Sequence, residues 1–172
     1  GSKNLKAVAA RGTMDIKIAH PKEALEYNKR FIDQITSAKV NQTQGALGTP
    51  FIWGATNSWG GIRTRNFQYN QMLYCDEIEP ESIDENCAKT IGPYHMAGCF
   101  GCQVHCRAQH KIPTGPYAGI YDEGPEYTAQ GAFCGEPDCR SLETLLVGNH
   151  MTNQWGVDNL EIGSLIAWAM EL

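Results

Sequence analysis

No basic patch interrupts this sequence. Its 14 Lys and Arg are scattered over 172 residues, and against 19 Asp and Glu they leave a net charge of −5. A nucleic-acid partner, which needs clustered cationic side chains, is not expected. No apolar run reaches the roughly 18 residues of a membrane-spanning helix. No charged leader followed by an apolar core opens the chain, so no secretory signal is read there and a cytoplasmic protein is expected. There is no internal repeat and no low-complexity tract. The seven cysteines are an odd number, so disulfides cannot pair them all. Without secretory signals, their clustering favours a reducing compartment and metal ligation or catalysis.

What is present is a mainly α pattern. Residues 5-LKAVAARG-12 read as one short strand. A helix is predicted from Pro21 to Lys39, with proline in its first turn and Ala24, Leu25, Phe31, Ile32 and Ile35 at helical spacing. The Gly-, Thr- and Trp-rich stretch 45–67 lacks a period and reads as structured loop with one short helix. A further helix is predicted over Pro80–Lys89. Residues 112–127, with three prolines and three glycines, read as loop with a short hairpin. Two helices, Asp138–Met151 and Asn159–Leu172, close the chain.

The chemistry concentrates in 98-GCFGCQVHCRAQHK-111, where Cys99, Cys102 and Cys106 form a C-x2-C-x3-C array. Thiolates select zinc, copper(I) or iron–sulfur clusters. The C-x2-C step presents two sulfurs to one centre from one turn of chain, and the x3 step is expected to carry that wrap into a helix. Structural zinc takes a second C-x2-C or a histidine pair. No second pair exists, although His95, His105 and His110 keep a Cys3His site open. Haem attachment needs C-x-x-C-H, and residue 103 is Gln. A cubane held by three local cysteines and one remote one fits best. Cys134 and Cys139 are within reach as the fourth ligand. The chain stops inside a helical pattern, 164-SLIAWAMEL-172, so the fourth ligand is otherwise expected beyond Leu172.

Five stretches, in order, then resemble one family: 1-GSKNLKAV-8, 61-GIRTRNF-67, the cysteine array, 124-GPEY-127 and 156-GVDNLEIGSLIAWAMEL-172. Together they resemble the tungsten-containing aldehyde ferredoxin oxidoreductases. The resemblance implies a helical domain of that type, with a short N-terminal strand left over from a preceding sheet domain. It puts residues 1–13 at the end of an N-terminal pterin-binding domain and 14–172 in the helical domain. It implies a tungsten or molybdenum bis-pterin beside a [4Fe–4S] cluster held by Cys99, Cys102 and Cys106.

The resemblance also implies individual roles. The family's first pterin motif, D-x-x-G-L-D, falls on Asn153, Gly156, Val157 and Asp158, with Asn153 departing from the acidic residue. Glycine at 156 lets the backbone approach a ring closely. Ser2, Lys3 and Asn4 are expected near the phosphate edge. Arg65 is expected on a pterin or an anionic substrate, or in a structural salt bridge. A proton must be managed beside the metal. Glu126 is the first candidate and Glu123 the next, while capping of a loop or helix is the plain alternative for Glu126. Cys134 is a candidate to approach the metal as a thiolate, against a buried thiol.

The expected activity is electron transfer between an aldehyde or carboxylic acid substrate and the cluster, then on to ferredoxin or an iron–sulfur partner subunit, in a homo- or hetero-oligomer. A related enzyme reducing aromatic acyl-CoA thioesters, of the benzoyl-CoA reductase type, is the alternative substrate reading. A zinc-stapled helical module and a small iron–sulfur electron carrier are the alternatives from other classes.

Overall fold

The computed structural model describes residues 3–80, 95–112 and 114–172. Ser2, Cys87 and nearly all of the helix predicted at 80–89 lie outside the described residues.

Helix α1 (Pro21–Ser37) begins on its proline and buries none of its residues. Leu25 and Phe31 stay 70% and 51% exposed, so its apolar stripe faces away from the core. Its C-terminus is tied to α2 (Lys39–Leu47) by side-chain amides: Asn41 Nδ2 donates to Ile35 O at 2.9 Å and Gln42 Nε2 to Thr36 O at 2.9 Å. Gly48, at φ +74, turns the chain into a 3-10 turn (Thr49–Ile52), which runs directly into α3 (Trp53–Ser58). The stretch expected to be largely loop is therefore mostly short helix.

A three-stranded antiparallel sheet follows in the order β1 (His95–Ala97), β2 (Arg107–Lys111), β3 (Tyr121–Glu123). Its register pairs Ala97 with Arg107 and His110 with Asp122. The hairpin expected between 112 and 127 is β2–β3, with its strands starting earlier than expected. Helix α4 (Tyr127–Gln130) continues as a π-helical turn (Gly131–Gly135). Helices α5 (Leu142–Trp155) and α6 (Asn159–Glu171) close the chain.

The core gathers Trp53, Ile78, Phe133, Leu145 and Leu146, with Trp53 edge-on to Tyr127 at 5.6 Å between ring centroids. Such aromatic pairs add to the burial of their own area. Helix α5 starts later than the sequence suggested because Asp138 takes a left-handed φ of +57 and Ser141 caps the helix, accepting from Thr144 N at 3.1 Å. Ser141→Ala is expected to cost about 1 kcal/mol, the usual value of such a cap. Thermal denaturation should then show a midpoint lower by roughly 2–4 °C.

The fold is mainly helical, as the periodicity indicates, but two local expectations fail. Residues 5–12 form no strand: Leu5 and Val8 are 60% and 83% exposed, and β1, β2 and β3 pair only with one another. Among the described residues no strand edge pairs with 5–12, so its apolar residues join no ladder. The cysteine array, in turn, does not wind into a helix. His105 adopts φ +56, which breaks any right-handed turn, and Cys106 leads straight into β2.

Candidate functional site

The three cysteines sit on the hairpin loop 98–106, which joins β1 to β2 and is closed at its base by the Ala97–Arg107 pair. Arg107 Nη2 donates to Gly98 O at 3.1 Å across the same base. The His105 ring packs closely over Gly98, where a Cβ would meet it at 2.5 Å. Within the loop, Cys102 N donates to Cys99 O at 3.0 Å and Val104 N to Cys102 Sγ at 3.4 Å. The His105 and Val104 amides hold the Cys102 thiol below its ordinary value. Cys99 is exposed, Cys102 and Cys106 are half-buried, and all three are free thiols.

The end of α2 is a platform under this loop. A Cβ on Gly45 would meet Val104 O at 2.5 Å, and one on Gly48 would meet Cys106 O at 3.3 Å. Thr49, the next residue, reaches the other candidate group. Its Oγ1 donates to Glu126 Oε2 and accepts from Tyr127 N at 2.8 Å. Glu126 stands at the N-cap position of α4, yet its carboxylate makes no capping bond. Instead it lies near Cys106. The Cys106 thiol is pushed up by burial and, secondarily, by the charge of Glu126. Gly45, Gly48, Thr49, Glu126 and the Val104–Cys106 end of the loop thus form one patch.

Asn153, Gly156, Val157 and Asp158 are brought together at the α5–α6 turn. Gly156 is left-handed at φ +66, and its N–H and that of Val157 share Thr152 O at 2.9 and 3.2 Å. Asp158 caps α6 through Oδ1 alone, on Leu160 N at 2.8 Å and Glu161 N at 3.1 Å. Asn153 Nδ2 donates to Asp122 Oδ2 at 3.2 Å, which joins this turn to β3.

The remaining expected residues lie elsewhere. Glu123 pairs with Arg107 at 2.8 Å. Arg65 Nε donates to Asp138 Oδ2 at 2.6 Å, the salt-bridge alternative. Lys3 and Asn4 are exposed in the N-terminal segment. Cys134 is fully enclosed in the π-helical turn, where burial and then the nearby Cys139 push its thiol up to about 12.

Sequence reasoning missed Thr49 and the Asp122 group. Asp122 Oδ2 also accepts from His150 Nδ1 at 3.0 Å. Its cross-strand partner His110 is 1% exposed, bonded by Nδ1 to Gly124 O at 2.7 Å. Burial holds His110 below its ordinary value, so it is neutral there. The one available signal was the i, i+3 spacing of His150 and Asn153, which puts both on one helix face.

Among the described residues, no three histidine, cysteine, aspartate or glutamate side chains are placed to hold a metal ion. The donor set nevertheless suits an iron–sulfur centre in kind: three unpaired thiols on one short loop, with an amide N–H already directed at one sulfur. Among the described residues, no helix is long and apolar enough to cross a membrane.

Comparison with known proteins agrees with this arrangement. The sequence family described as "Aldehyde ferredoxin oxidoreductase, domains 2 & 3" matches residues 26–172. Tungsten-containing aldehyde ferredoxin oxidoreductases of Pyrococcus horikoshii and Pyrococcus abyssi are each 29% identical over 175 residues, covering 100% of this chain and 27% of their own length. An "Aliphatic sulfonate oxidoreductase, WOR-like subunit" of Pyrococcus furiosus is 25% identical over 173 residues, again covering 100% of this chain and 27% of its own. The chain thus spans about a quarter of the length of these relatives. With the cysteine loop, the Glu126 segment and the α5–α6 turn all inside the matched region, the chain belongs to the aldehyde ferredoxin oxidoreductase family.

Proposed function

We propose that this chain is part of a tungsten or molybdenum bis-pterin oxidoreductase, most of it (residues 14–172) the helical domain that carries the cluster cysteines. The observation that carries the reading is the shared platform at the end of α2, which supports the thiol loop through Gly45 and Gly48 and holds Glu126 through Thr49. With a cluster on that loop, Glu126 would be a proton-handling carboxylate beside an electron-transfer centre.

Cys99, Cys102 and Cys106 would hold a [4Fe–4S] cluster, with its fourth ligand from elsewhere in the protein. Asn153 and the uncommitted Oδ2 of Asp158 would hydrogen-bond a pterin edge, and Gly156 would let the backbone come close to it. Val157 would pack on its ring, with Ser2, Lys3 and Asn4 toward its phosphate. When bound, the metal–pterin group supplies the two-electron step and the cluster passes single electrons onward. Oxidation of an aldehyde to its acid takes up one water and releases two protons and two electrons; Glu126 would accept and return one of those protons through Oε1, while Thr49 keeps Oε2 fixed. Glu123 is the second candidate, held back by its pair with Arg107. Buried Cys134 would need to lose its proton and its enclosure to reach a metal, so it is assigned no step.

The substrate class is an aldehyde and its carboxylic acid, and the electron partner is ferredoxin or an iron–sulfur subunit of a cytoplasmic oligomer. Relatives bear different substrate names, one of them a sulfonate enzyme, so substrate identity rests on assay.

Metal analysis of the protein purified without oxygen tests the reading. About four irons with about one tungsten or molybdenum per chain are expected. Cys102→Ser should bring iron close to zero. Zinc alone would overturn the proposal and make the loop a structural staple.

A further inference from the structure

A cavity of about 690 Å³ opens between the 58–74 segment and the 138–140 turn. Its volume lies in the range of small-molecule sites. None of Cys99, Cys102, Cys106, Glu126 or Asn153 lines it, and the proposed oxidoreductase chemistry makes no use of it. A ligand held there would bind whether or not that chemistry is correct.

One connected network shapes the cavity. Asp138 Oδ2 accepts from Arg65 Nε at 2.6 Å, and Asp138 Oδ1 accepts from the Tyr74 hydroxyl. The Tyr74 ring in turn carries the Arg140 guanidinium 4.1 Å from its centroid. Asp138 therefore steers Arg65 through Nε alone and leaves the Nη pair for something else. Arg140 is held mainly by stacking, since its Nη1 meets Glu77 Oε1 only at 3.5 Å. Burial pushes the Asp138 carboxyl up, but Tyr74 and Arg65 together outweigh it and keep it below the ordinary carboxylate range. The brace is thus charged at neutral pH.

Arg65 is paired with Asp138 and Arg140 with Glu77, but these pairs use only Arg65 Nε and Arg140 Nη1, which leaves further guanidinium N–H groups to meet an anion. Planar forks with free Nη groups match phosphate oxygens. Trp59 and Tyr69 also line the cavity, 78% and 56% exposed; Trp59 offers a face for a flat ring, and the Arg65 guanidinium lies over the Tyr69 ring, 5.8 Å from its centroid, leaving the opposite face. The Arg65 segment is held in a costly conformation, with Arg65, Asn66 and Phe67 all left-handed at φ 51, 49 and 66. The Thr64–Tyr69 bridge and an Asn66 N–H bond to Glu136 O at 3.0 Å fix it there. Side chains on such a segment are pre-positioned, which lowers the entropic cost of engaging a ligand.

From this we infer that the cavity binds a nucleoside diphosphate, or a molecule that ends in one. The two phosphates lie on Arg65 and Arg140 and the base stacks on Trp59 and Tyr69.

Isothermal titration of the purified protein with ADP, adenosine and pyrophosphate tests this. ADP is expected to bind at least about ten-fold more tightly than either fragment, because each half supplies contacts of that order. Arg65→Gln and Arg140→Gln should each weaken ADP by about ten-fold or more, and Arg65→Lys, which keeps charge but loses the fork, by less. Trp59→Ala should weaken ADP and adenosine but leave pyrophosphate unchanged. These side chains are exposed, at 61%, 62% and 78%, so melting curves should match the parent and confirm intact folding. The inference is overturned by an absence of heat up to millimolar ADP, by ADP binding indifferent to both arginine variants, or by pyrophosphate binding as tightly as ADP.

Discussion

Glu126→Gln is expected to lower turnover by about two to four orders of magnitude, with the KM for substrate little changed. Glutamine keeps the shape and can still accept from Thr49 Oγ1, so the platform at Gly45–Thr49 stays in place. What disappears is the exchangeable proton. Iron and tungsten content should therefore match the parent, which separates lost chemistry from lost cofactor. Thr49→Val makes the complementary case. It removes the hydroxyl that donates to Glu126 and accepts from Tyr127 N, leaving the carboxylate present but unheld. Its expected loss is smaller, about ten-fold, and it should move the pH–rate profile, whereas Glu126→Gln should remove a limb of it. If Glu126→Gln keeps turnover within about three-fold of the parent, the carboxylate is not the proton carrier. Glu123→Gln then becomes the decisive variant, with Arg107 already holding that carboxylate.

The sequence made the helices legible where periodicity was long enough. Proline at the first turn and a repeating apolar stripe placed α1 within two residues of its observed end. The 159–172 pattern placed α6 to within one. Short strands have no such signal. Residues 5–12 looked like a strand because of their composition, but a strand exists only where a partner edge exists. The sheet formed instead around β2, whose partners lie on either side of it. The cysteine loop shows the same limit. Its spacing drew attention to the three thiols, yet nothing in it announced that a non-glycine residue, His105, would take a left-handed φ and send the chain into a strand. The site was legible in its titratable groups and hidden in their supports. Thr49 reaches Glu126 across 77 residues and Asn153 reaches Asp122 across 31. Contacts over such separations depend on how α2, the hairpin and α5 stack, which no local pattern encodes.

Gly163→Ala is expected to destabilise the fold by about 2 kcal/mol, although alanine is the better helix former. A Cβ at this position would sit 2.4 Å from Ala132 O and 2.7 Å from both Ala132 Cα and Cβ. Two of these three atoms are backbone, so no rotamer change can make room, and α6 would have to lift from the π-helical turn. Overpacking of this kind typically costs 1–3 kcal/mol, against a propensity gain of about 1 kcal/mol at most. The lift would also strain the adjoining seam, where Ser164 Oγ donates to the buried Glu136 at 2.7 Å and Arg63 Nη2 lies 3.4 Å from the same carboxylate. Gly148→Ala is the informative contrast. Its Cβ would meet the Phe133 ring at 2.8 Å, a side chain that can tilt, so the cost there should be smaller. In a domain of this size, 2 kcal/mol corresponds to a melting midpoint lower by roughly 4–8 °C. Circular dichroism on the two variants reads this directly. A Gly163→Ala midpoint within a degree of the parent would mean that α6 does not rest on the π-helical turn in solution. Because that turn continues from α4, directly after Glu126, a true lift should also appear as partial loss of turnover with iron content retained.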